Sequence, residues 1–361
     1  MTRARNSPRP LATRFAQQVF RSELIQSLGV HIGSRGPKNL TQWSHLCKKF
    51  CVMTDRRSPP ALERAAAQLL NRVRRARPLR AGSLIVTILG DAIVPRGGSV
   101  SLASLIRLAA PFGLSERLVR TSVGRLARDG WMRAVRHGRL SYYALTPSGR
   151  ARFAAATRRI YAGSPVAWDG RWTLVLAPPG DSDLREELLW QGYGAIASGV
   201  LARPAPPENG AARALKRRGA VVFSAATGAG FDRALIRASW DLPSLARRYR
   251  RFVALFAPVG RALARSGPIA PETAFVLRTL LVHEYRKIHL RDPLLPQSLL
   301  PRTWIGNAAY SLCRDLYSAV FPAAEAYLNA QAARRSGALP PPAASTYQRF
   351  GGLPRPATHA T

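Results

Sequence analysis

Apolar residues recur at helical spacing along several stretches of the chain, and the first such stretch is Ala61–Arg77, directly after a pair of prolines. This spacing predicts an amphipathic helix, so we expect residues 53–80 to form an N-terminal helix or arm. Residues 1–52 show poor periodicity and lack the continuous apolar stretch of a secretory signal. We expect a poorly structured basic extension there. Two interpretations stay open: a disordered arm, or a start assigned too early, with translation beginning at Met53.

Residues 81–163 carry three apolar segments in succession, each with the length and boundaries of a helix. The first, Ser83–Val94, is apolar on most faces and ends at a proline followed by two glycines. Ser101 and Ser115 each precede an amphipathic stretch, and serine is a preferred N-cap residue. The third helix is predicted over Glu116–Asp129, and a glycine follows it.

A β-hairpin is predicted to follow the third helix. Its strands are Trp131–Arg136 and Arg139–Leu145, and its two-residue turn is His137-Gly138, where glycine supplies the positive φ. Another helix is predicted over Pro147–Ala162. Three helices with short turns, followed by a basic hairpin, form the pattern of a winged helix-turn-helix, and we predict such a DNA-binding domain in this part of the chain.

The third helix has two faces of different character. We expect its inward face to consist of Leu118, Val119, Ser122, Val123, Leu126 and Ala127. Its outward face combines arginines with small side chains, which suits contact with base edges and phosphates of DNA. The candidate DNA-binding residues are Arg117, Arg120, Thr121, Arg125 and Arg128 on the helix, with Arg136 and Arg139 on the hairpin. A solvated face without any partner is the alternative interpretation.

Strand and helix segments alternate in residues 164–240. Strands are predicted over Arg171–Ala177, Gly199–Arg203 and Ala220–Ser224, and helices over Asp183–Gln191 and Ala211–Arg218. This order predicts a small ferredoxin-type α/β domain. Domains of this kind serve many functions, so the fold alone does not name one.

The rest of the chain is mostly helical, with helices predicted over Pro243–Leu263, Pro271–Leu290 and Trp304–Ala333. They define an all-helical C-terminal region over residues 241–335. Residues 336–361 form a Pro-rich tail that we expect to be extended or disordered, with docking of its YQRFGGL stretch as the alternative. The whole pattern predicts the fold class α+β.

Composition adds a strong positive charge to this picture. The chain has 361 residues, with 55 Lys and Arg against 19 Asp and Glu, and a formal net charge of +36. This excess suits a nucleic acid or an anionic membrane surface, although a GC-rich genome also favours arginine. Three cysteines are too few for a disulfide framework, and their spacing does not predict a zinc site. We therefore expect a cytoplasmic protein, and no apolar run is long enough to span a membrane.

Six segments carry a resemblance to a known family: GLSERLVRTSVGRLARDGW (113–131), GRLSYYALT (138–146), WDGRW (168–172), LLWQGYGAIASGVLARP (188–204), HEYRKIHLRDPLLPQSLLP (283–301) and YQRFGGL (347–353). Together they resemble the PaaX family, negative regulators of phenylacetic acid degradation operons. The resemblance covers nearly all of the chain from Ser83 to Leu353. It implies a winged helix-turn-helix, a Cas2-like ferredoxin-type α/β domain and a helical C-terminal region.

The resemblance also implies a function. It implies a transcriptional repressor that binds double-stranded operator DNA as a homodimer and is released by an acyl-CoA effector, typically phenylacetyl-CoA. No other cofactor, no metal site and no catalytic residue are expected. Basic residues lie near apolar helical surface in the C-terminal region, and the candidate effector-binding residues are His283, Arg286, Arg291 and Trp304. The alternative is structural: Arg286 and Arg291 pair with Glu284 or Asp292, and His283 packs in the core.

An enzyme is the competing class of function. Nucleases with a Cas2-like fold hold a metal with an acidic residue near the end of the first strand, and Asp181 occupies such a position. A lone aspartate in a Pro/Gly turn is more often a turn or capping residue. The sequence has no cluster of carboxylates around it and no GxSxG, HExxH or P-loop motif. We therefore predict a regulator, with a metal-dependent nuclease as the alternative.

Overall fold

The computed structural model describes residues 60–76, 79–138, 140–162, 167–204 and 210–354. The predictions for residues 1–52, for a start at Met53 and for Arg139 lie outside these ranges. Within them, no helix combines the length and the apolar character that crossing a membrane requires. The described chain combines helices with antiparallel sheets and is an α+β protein.

The first two helices begin the main core. α1 (Ala61–Ala76) has one apolar face, and it buries Leu62, Ala66, Leu69 and Val73. α2 (Ala81–Ile88) continues through a π-helical turn (Leu89–Ile93) and a 3-10 turn (Val94–Arg96). Gly97 ends this run with φ of +90°, a backbone conformation that glycine adopts without steric cost.

Two capped helices follow, α3 (Leu102–Ala109) and α4 (Glu116–Arg128). The predicted capping residues Ser101 and Ser115 are confirmed: each side chain accepts a hydrogen bond from the backbone N–H three residues further on, at 3.1 and 3.4 Å. Such bonds satisfy donors that the first turn of a helix leaves free. α4 packs against α2 and α3.

A three-stranded antiparallel sheet completes this region, in the order β1-β3-β2. Its strands are β1 (Ser99–Ser101), β2 (Met132–His137) and β3 (Leu140–Leu145), and α5 (Pro147–Tyr161) follows them. The sequence pattern missed β1, because a strand of three residues shows no measurable alternation and forms only by pairing with β3.

The predicted hairpin turn is wrong by one residue. His137 pairs with Leu140, so His137 still belongs to the strand and the turn begins after it. Gly138 has φ of +57°, which agrees with a first turn position that requires positive φ. The glycine was recognised correctly, but the sequence alone does not fix the register of the strands beside it.

The middle of the chain forms a four-stranded antiparallel sheet in the order β5-β6-β4-β7. Its elements in chain order are β4 (Arg171–Leu176), α6 (Ser182–Trp190), β5 (Gly194–Ala197), β6 (Val200–Arg203), α7 (Ala211–Arg217), β7 (Val221–Ala226) and α8 (Ala229–Ser239). The sequence predicted three strands and two helices. It missed the short edge strand β5 and the helix α8.

Three long helices form the C-terminal part, close to their predicted limits: α9 (Leu242–Leu263), α10 (Pro271–His289) and α11 (Ile305–Gln331). A short pair of strands, β8 (Ala333–Arg334) and β9 (Gly337–Ala338), follows α11. α10 packs against both α9 and α11, and its whole length is lined by buried residues. It is therefore the central helix of this part.

One apolar core joins the N-terminal helices, α5 and the C-terminal helices. Two smaller clusters lie on the two faces of the middle sheet, one around Val175 and Leu184 and the other around Trp172 and Ile236. Because α2 and α5 both contact α10, the surface that carries α4 rests directly on the C-terminal helices.

The end of the described chain is docked rather than extended. A run of 3-10 turns (Ala344–Gly351) places Phe350 and Leu353 in the main core. Arg349 is buried as well, and its Nη1 donates hydrogen bonds to Asp91 Oδ1 at 2.9 Å and to Tyr317 Oη at 2.7 Å. The docking alternative for the YQRFGGL stretch is thus confirmed, and an ion pair with the π-helical turn after α2 holds it in place.

Candidate nucleic-acid interface and adjoining cavity

Burial of one face of α4 determines which residues its opposite face exposes. Val119 and Val123 are fully buried and Leu126 nearly so, which fixes the rotation of the helix about its axis. All five candidate residues on the helix are therefore exposed to solvent: Arg117, Arg120, Thr121, Arg125 and Arg128. Gly124 lies between them, and open space surrounds its Cα on that side. The face has room for close approach of another backbone.

Two arginines of this face pair with acidic residues of the same helix. Arg120 Nε donates to Glu116 Oε1 at 2.7 Å, and Arg125 Nε lies 3.7 Å from Asp129 Oδ2. Both pairs are exposed, and exposed pairs contribute about 0–1 kcal/mol. Within the described part of the chain, Arg117 and Arg128 form no ion pair. Carboxylates of the protein therefore compete only weakly with an external anion for the arginines of this face.

Leu118 contradicts the prediction that it faces the core. Its side chain is 49% exposed, next to the arginines of α4. The predicted inward face is too wide, because α4 buries only Val119, Val123 and Leu126. The exposed Leu118 is a candidate contact residue that the sequence pattern did not indicate. Apolar side chains at this kind of position contact the methyl group of thymine.

The hairpin extends the basic surface. Arg133 and Arg136 of β2 are exposed, and Arg136 pairs in register with Ser141 of β3. Leu140, which follows the turn, is 53% exposed. Trp131 connects α4 to β2: its backbone N–H donates to the carbonyl of Leu126 at 2.9 Å. The end of α4 and the start of the hairpin are thereby joined by a backbone hydrogen bond.

A cavity of about 520 Å³ lies beside this connection. Its walls come from α2, α5 and α10, with one side chain each from the hairpin connection, Trp131, and from the middle region, Trp190. The lining is mostly apolar and includes Val86, Phe153, Ile160, Val282 and Leu290. No motif in the sequence indicates this cavity, because its walls come from segments far apart in the chain.

Of the four candidate effector residues, only Arg286 lines this cavity. Its Nε donates to Thr87 Oγ1 at 2.8 Å, and its Nη2 donates to the Ser83 carbonyl at 2.8 Å and to Ser83 Oγ at 2.9 Å. Burial lowers the pKa of Arg286. The expected alternative pairing with Glu284 is absent, since Glu284 pairs with Lys287.

His283 is buried behind Arg286. Its Nδ1 lies 2.9 Å from Thr87 Oγ1. Burial, with the nearby Lys287 and Arg286, lowers the pKa of His283 to about 3, so the ring is neutral at physiological pH. The neutral ring and the hydroxyl join α10 to α2. This geometry agrees with the structural interpretation of His283 as a packed core residue.

The structure places the other two candidates elsewhere. Arg291 is exposed and lines a smaller cavity of about 210 Å³ with Trp240 and Arg248. Trp304 packs in the main core, where its ring lies edge-on to Tyr249 with 6.2 Å between centroids. Neither side chain lines the larger cavity.

Asp181 is a capping residue. Its Oδ1 accepts a hydrogen bond from the backbone N–H of Leu184 at 2.8 Å, at the start of α6, and both its oxygens accept from Arg218. The described residues contain no group of His, Cys, Asp and Glu that would hold a metal ion. The aspartate is thus committed to holding α6 and α7 together, and the nuclease alternative is not favoured.

The fold and the surface define an α+β protein that carries a basic helix and hairpin above a helical core. The chain belongs to the PaaX-like family. A sequence model described as "PaaX-like protein" matches residues 80–149, and one described as "PaaX-like protein C-terminal domain" matches residues 240–330. The chain is 36% identical over 289 residues to the transcriptional repressor PaaX of Escherichia coli K12, a match that covers 76% of this chain and 92% of that protein.

A solved structure also resembles the chain. It is the uncharacterized protein Rv0674 from Mycobacterium tuberculosis, with 22% sequence identity and a TM-score of 0.46. The match covers 69% of this chain and 99% of that one.

Proposed function

We propose that this protein is a transcriptional repressor of a phenylacetate catabolic operon and not an enzyme. Residues 81–163 form its winged helix-turn-helix, with α4 as the recognition helix. The exposed arginines of α4 beside a basic hairpin are the observation that carries the proposal. Membership of the PaaX-like family supports it, because the relative in Escherichia coli is a transcriptional repressor.

The geometry supports different roles for α4, which would contact bases, and for the hairpin, which would contact phosphates. Arg117 and Arg128 are free of ion pairs within the described residues, and arginine donates two hydrogen bonds to guanine in the major groove. Arg133 and Arg136 on β2 project from a hairpin, the position from which a wing contacts phosphates. Phosphate contacts set affinity and its dependence on salt, while contacts to bases set specificity.

We also propose that the repressor acts as a homodimer. A two-fold dimer presents two recognition helices, so its operator is an inverted repeat with half-sites about one helical turn apart, or a multiple of that distance. The strand order of the middle sheet is that of a ferredoxin-type domain, which supports its assignment as Cas2-like.

Release from the operator follows from binding of an aryl-CoA thioester such as phenylacetyl-CoA. A ligand shifts a protein between two states only by its difference in affinity for them. The thioester therefore has the higher affinity for the state in which the two recognition helices cannot both enter the operator.

The test is operator binding by the full chain, measured by fluorescence anisotropy on DNA from its own promoter region at fixed salt. We expect specific binding that phenylacetyl-CoA abolishes and that free phenylacetate and free CoA leave unchanged. Specific binding that ignores the thioester would remove the effector from the proposal. Equal binding to promoter and unrelated DNA would contradict a sequence-specific repressor.

A further inference from the structure

We propose that the cavity between α2, α5 and α10 binds the apolar aromatic or acyl group of an anionic ligand, and that Arg286 donates to the carboxylate or thioester oxygen attached to that group. The inference deepens the proposed function, because it assigns a place to the effector of the repressor. Four observations carry it: the chemistry of the walls, the partners of Arg286, the cations at the mouth and the connection to the hairpin.

The cavity has the size and lining of a small-molecule site. Its volume of about 520 Å³ lies within the range of about 300–1,000 Å³ that ligand pockets occupy. Val86, Val282 and Leu290 give aliphatic walls, and Phe153 adds a ring. An apolar group gains free energy by leaving water for such walls. A planar ring or a short acyl chain is the chemistry that they fit.

Arg286 is a cation without a matching carboxylate. Its hydrogen bonds within the described residues go to Thr87 and Ser83, which carry no charge. Within the described part of the chain its Nη1 makes no hydrogen bond. Burial lowers the pKa of Arg286, and it forms no ion pair within the described residues, whereas the arginines around Asp91 are paired with carboxylates. Arg286 is half-buried, and a partly desolvated cation is stabilised by an oxygen acceptor, which a ligand in the cavity would supply.

The carboxylate on the cavity wall, that of Asp91, does not compensate this charge. Asp91 lines the cavity, but its oxygens accept hydrogen bonds from Arg278 and Arg349. Two tyrosine hydroxyls, those of Tyr161 and Tyr317, donate to the same carboxylate. The Asp91 carboxylate is thus already paired with these groups, and the charge of Arg286 remains uncompensated on the cavity wall.

More cations stand near the exposed rim of the cavity. The guanidinium of Arg152 lies over the ring of Trp131, 5.1 Å from its centroid, and that of Arg159 lies over Trp190 at 5.5 Å. Trp190 is 46% exposed, so this side of the cavity borders solvent. A ligand whose apolar group enters the cavity would leave additional anionic groups near these arginines. Phosphates bind arginine through charge-assisted hydrogen bonds.

The cavity touches the elements that carry the DNA-binding surface. Trp131 lies on its wall, packs edge-on against Phe153 with 5.6 Å between centroids, and follows α4 directly. Gly90 lines the cavity from the π-helical turn after α2, and a Cβ at this position would lie 2.9 Å from the Phe153 ring. π-Helical turns occur frequently at functional sites. A ligand that displaces Phe153 or Trp131 therefore moves the hairpin relative to α4.

The proposal is tested by isothermal titration calorimetry on the full chain with three probes: phenylacetyl-CoA, free phenylacetate and free CoA. Arg286→Gln removes the cation, and Ala156→Leu fills the cavity without touching any charge. Lys287→Gln and Ala154→Leu are the matched controls, on the same helices and with exposed side chains outside the cavity lining. Thermal unfolding of each variant, without ligand, checks that it is folded.

We expect an aromatic probe to bind the wild type, and both cavity variants to weaken it about tenfold or more, as loss of a charged hydrogen bond or of pocket volume does. The controls should keep the wild-type affinity. Tighter binding of the thioester than of phenylacetate would assign the rim arginines to its phosphates, and the reverse order would assign a free aryl acid as the ligand. Equal affinity in all four variants, or no binding of any probe, would overturn the proposal.

Operator binding is measured in parallel on the same proteins without ligand. If the wild type binds the probe but not its promoter DNA, the repressor proposal fails while the cavity proposal stands. If the DNA is bound and the probe is not, the cavity proposal fails alone.

Discussion

The arginines around Asp91 and the arginines of α4 illustrate two ways in which this basic chain accommodates its charge. Asp91 is buried, and Arg278 Nε donates to it at 2.7 Å while Arg349 Nη1 donates at 2.9 Å. Burial alone would raise the pKa of Asp91, but the two arginines and two tyrosine hydroxyls lower it overall. On α4 the arginines are exposed and weakly paired or unpaired.

The difference follows from solvation. A buried cation requires an anion, because the interior cannot replace the water it has lost, whereas an exposed cation remains stable alone. Asp91 and the partly buried Glu325 compensate the buried arginines of the core, whereas the surface of α4 carries more arginines than carboxylates. Arg286 departs from this rule, since it is half-buried and pairs with no carboxylate of the described residues. This unpaired cation distinguishes the cavity as a candidate binding site for an anionic ligand.

The largest expected effect comes from breaking the buried network. Asp91→Asn leaves Arg349 without a carboxylate and Arg278 with Glu325 alone. We expect the free energy of unfolding to fall by about 3–5 kcal/mol, the cost of leaving a buried charge uncompensated. Urea denaturation measures it. The control Asp129→Asn removes an exposed carboxylate of α4 and should cost about 0–1 kcal/mol. Similar losses in both variants would contradict the contrast between core and surface.

Two buried histidines predict a dependence of stability on pH. Burial lowers the pKa of His283 to about 3 and that of His289 to about 4. The unfolded chain binds protons below a pKa of about 6.5, but the folded chain does not, so stability is full above that pH and falls as the pH drops toward the folded values. From pH 7 to pH 5 we expect a loss of about 2 kcal/mol for each histidine.

Urea denaturation at the two pH values measures this loss, and His283→Gln isolates one part of it. The variant should lose about 2 kcal/mol less stability between pH 7 and pH 5 than the wild type, because only His289 still contributes. An unchanged difference between the two pH values would show that His283 takes up a proton in the folded protein.

Sequence reasoning succeeded where structure is decided locally. The serine caps of α3 and α4, the bounds of the C-terminal helices and the exposed arginines of α4 all depend on neighbours within a few turns. It failed where the structure depends on distant partners. β1 exists only because it pairs with β3, and the turn at Gly138 shifted by one residue with the register of β2 and β3.

The cavity is a second feature that sequence reasoning could not predict, because distant parts of the chain form it. The sequence indicates Arg286 as a basic residue near apolar surface, but its partners Ser83 and Thr87 lie about 200 positions earlier in the chain. Trp304 was selected for the same reason and packs in the core instead. Composition identifies residue types that suit a ligand, whereas only the packed structure determines which of them line one space.

On the exposed side of the comparison, Arg117→Ala tests the free cations of α4. We expect operator affinity to fall by about 1–3 kcal/mol, the contribution of a good arginine contact. If the contact is to a phosphate, the slope of log affinity against log salt also falls by about 0.9. Fluorescence anisotropy at several salt concentrations measures both. Arg314→Ala, which removes an exposed arginine of α11, is the control, and an equal loss in that variant would contradict a specific role for Arg117.

The smallest expected effect concerns the one close ion pair on the same face. Glu116→Gln removes the partner of Arg120, whose side chain is 57% exposed. An exposed pair contributes about 0.2–1 kcal/mol, so stability should fall by no more than this. Operator affinity should rise by a similar free energy, about 1.4- to fivefold, because a negative charge leaves the surface that approaches phosphates. Anisotropy on the same DNA measures it. A fall in affinity would instead show that Glu116 holds Arg120 in the orientation that DNA requires, and that this pair belongs with the ordered arginines of the core rather than with the free cations of α4.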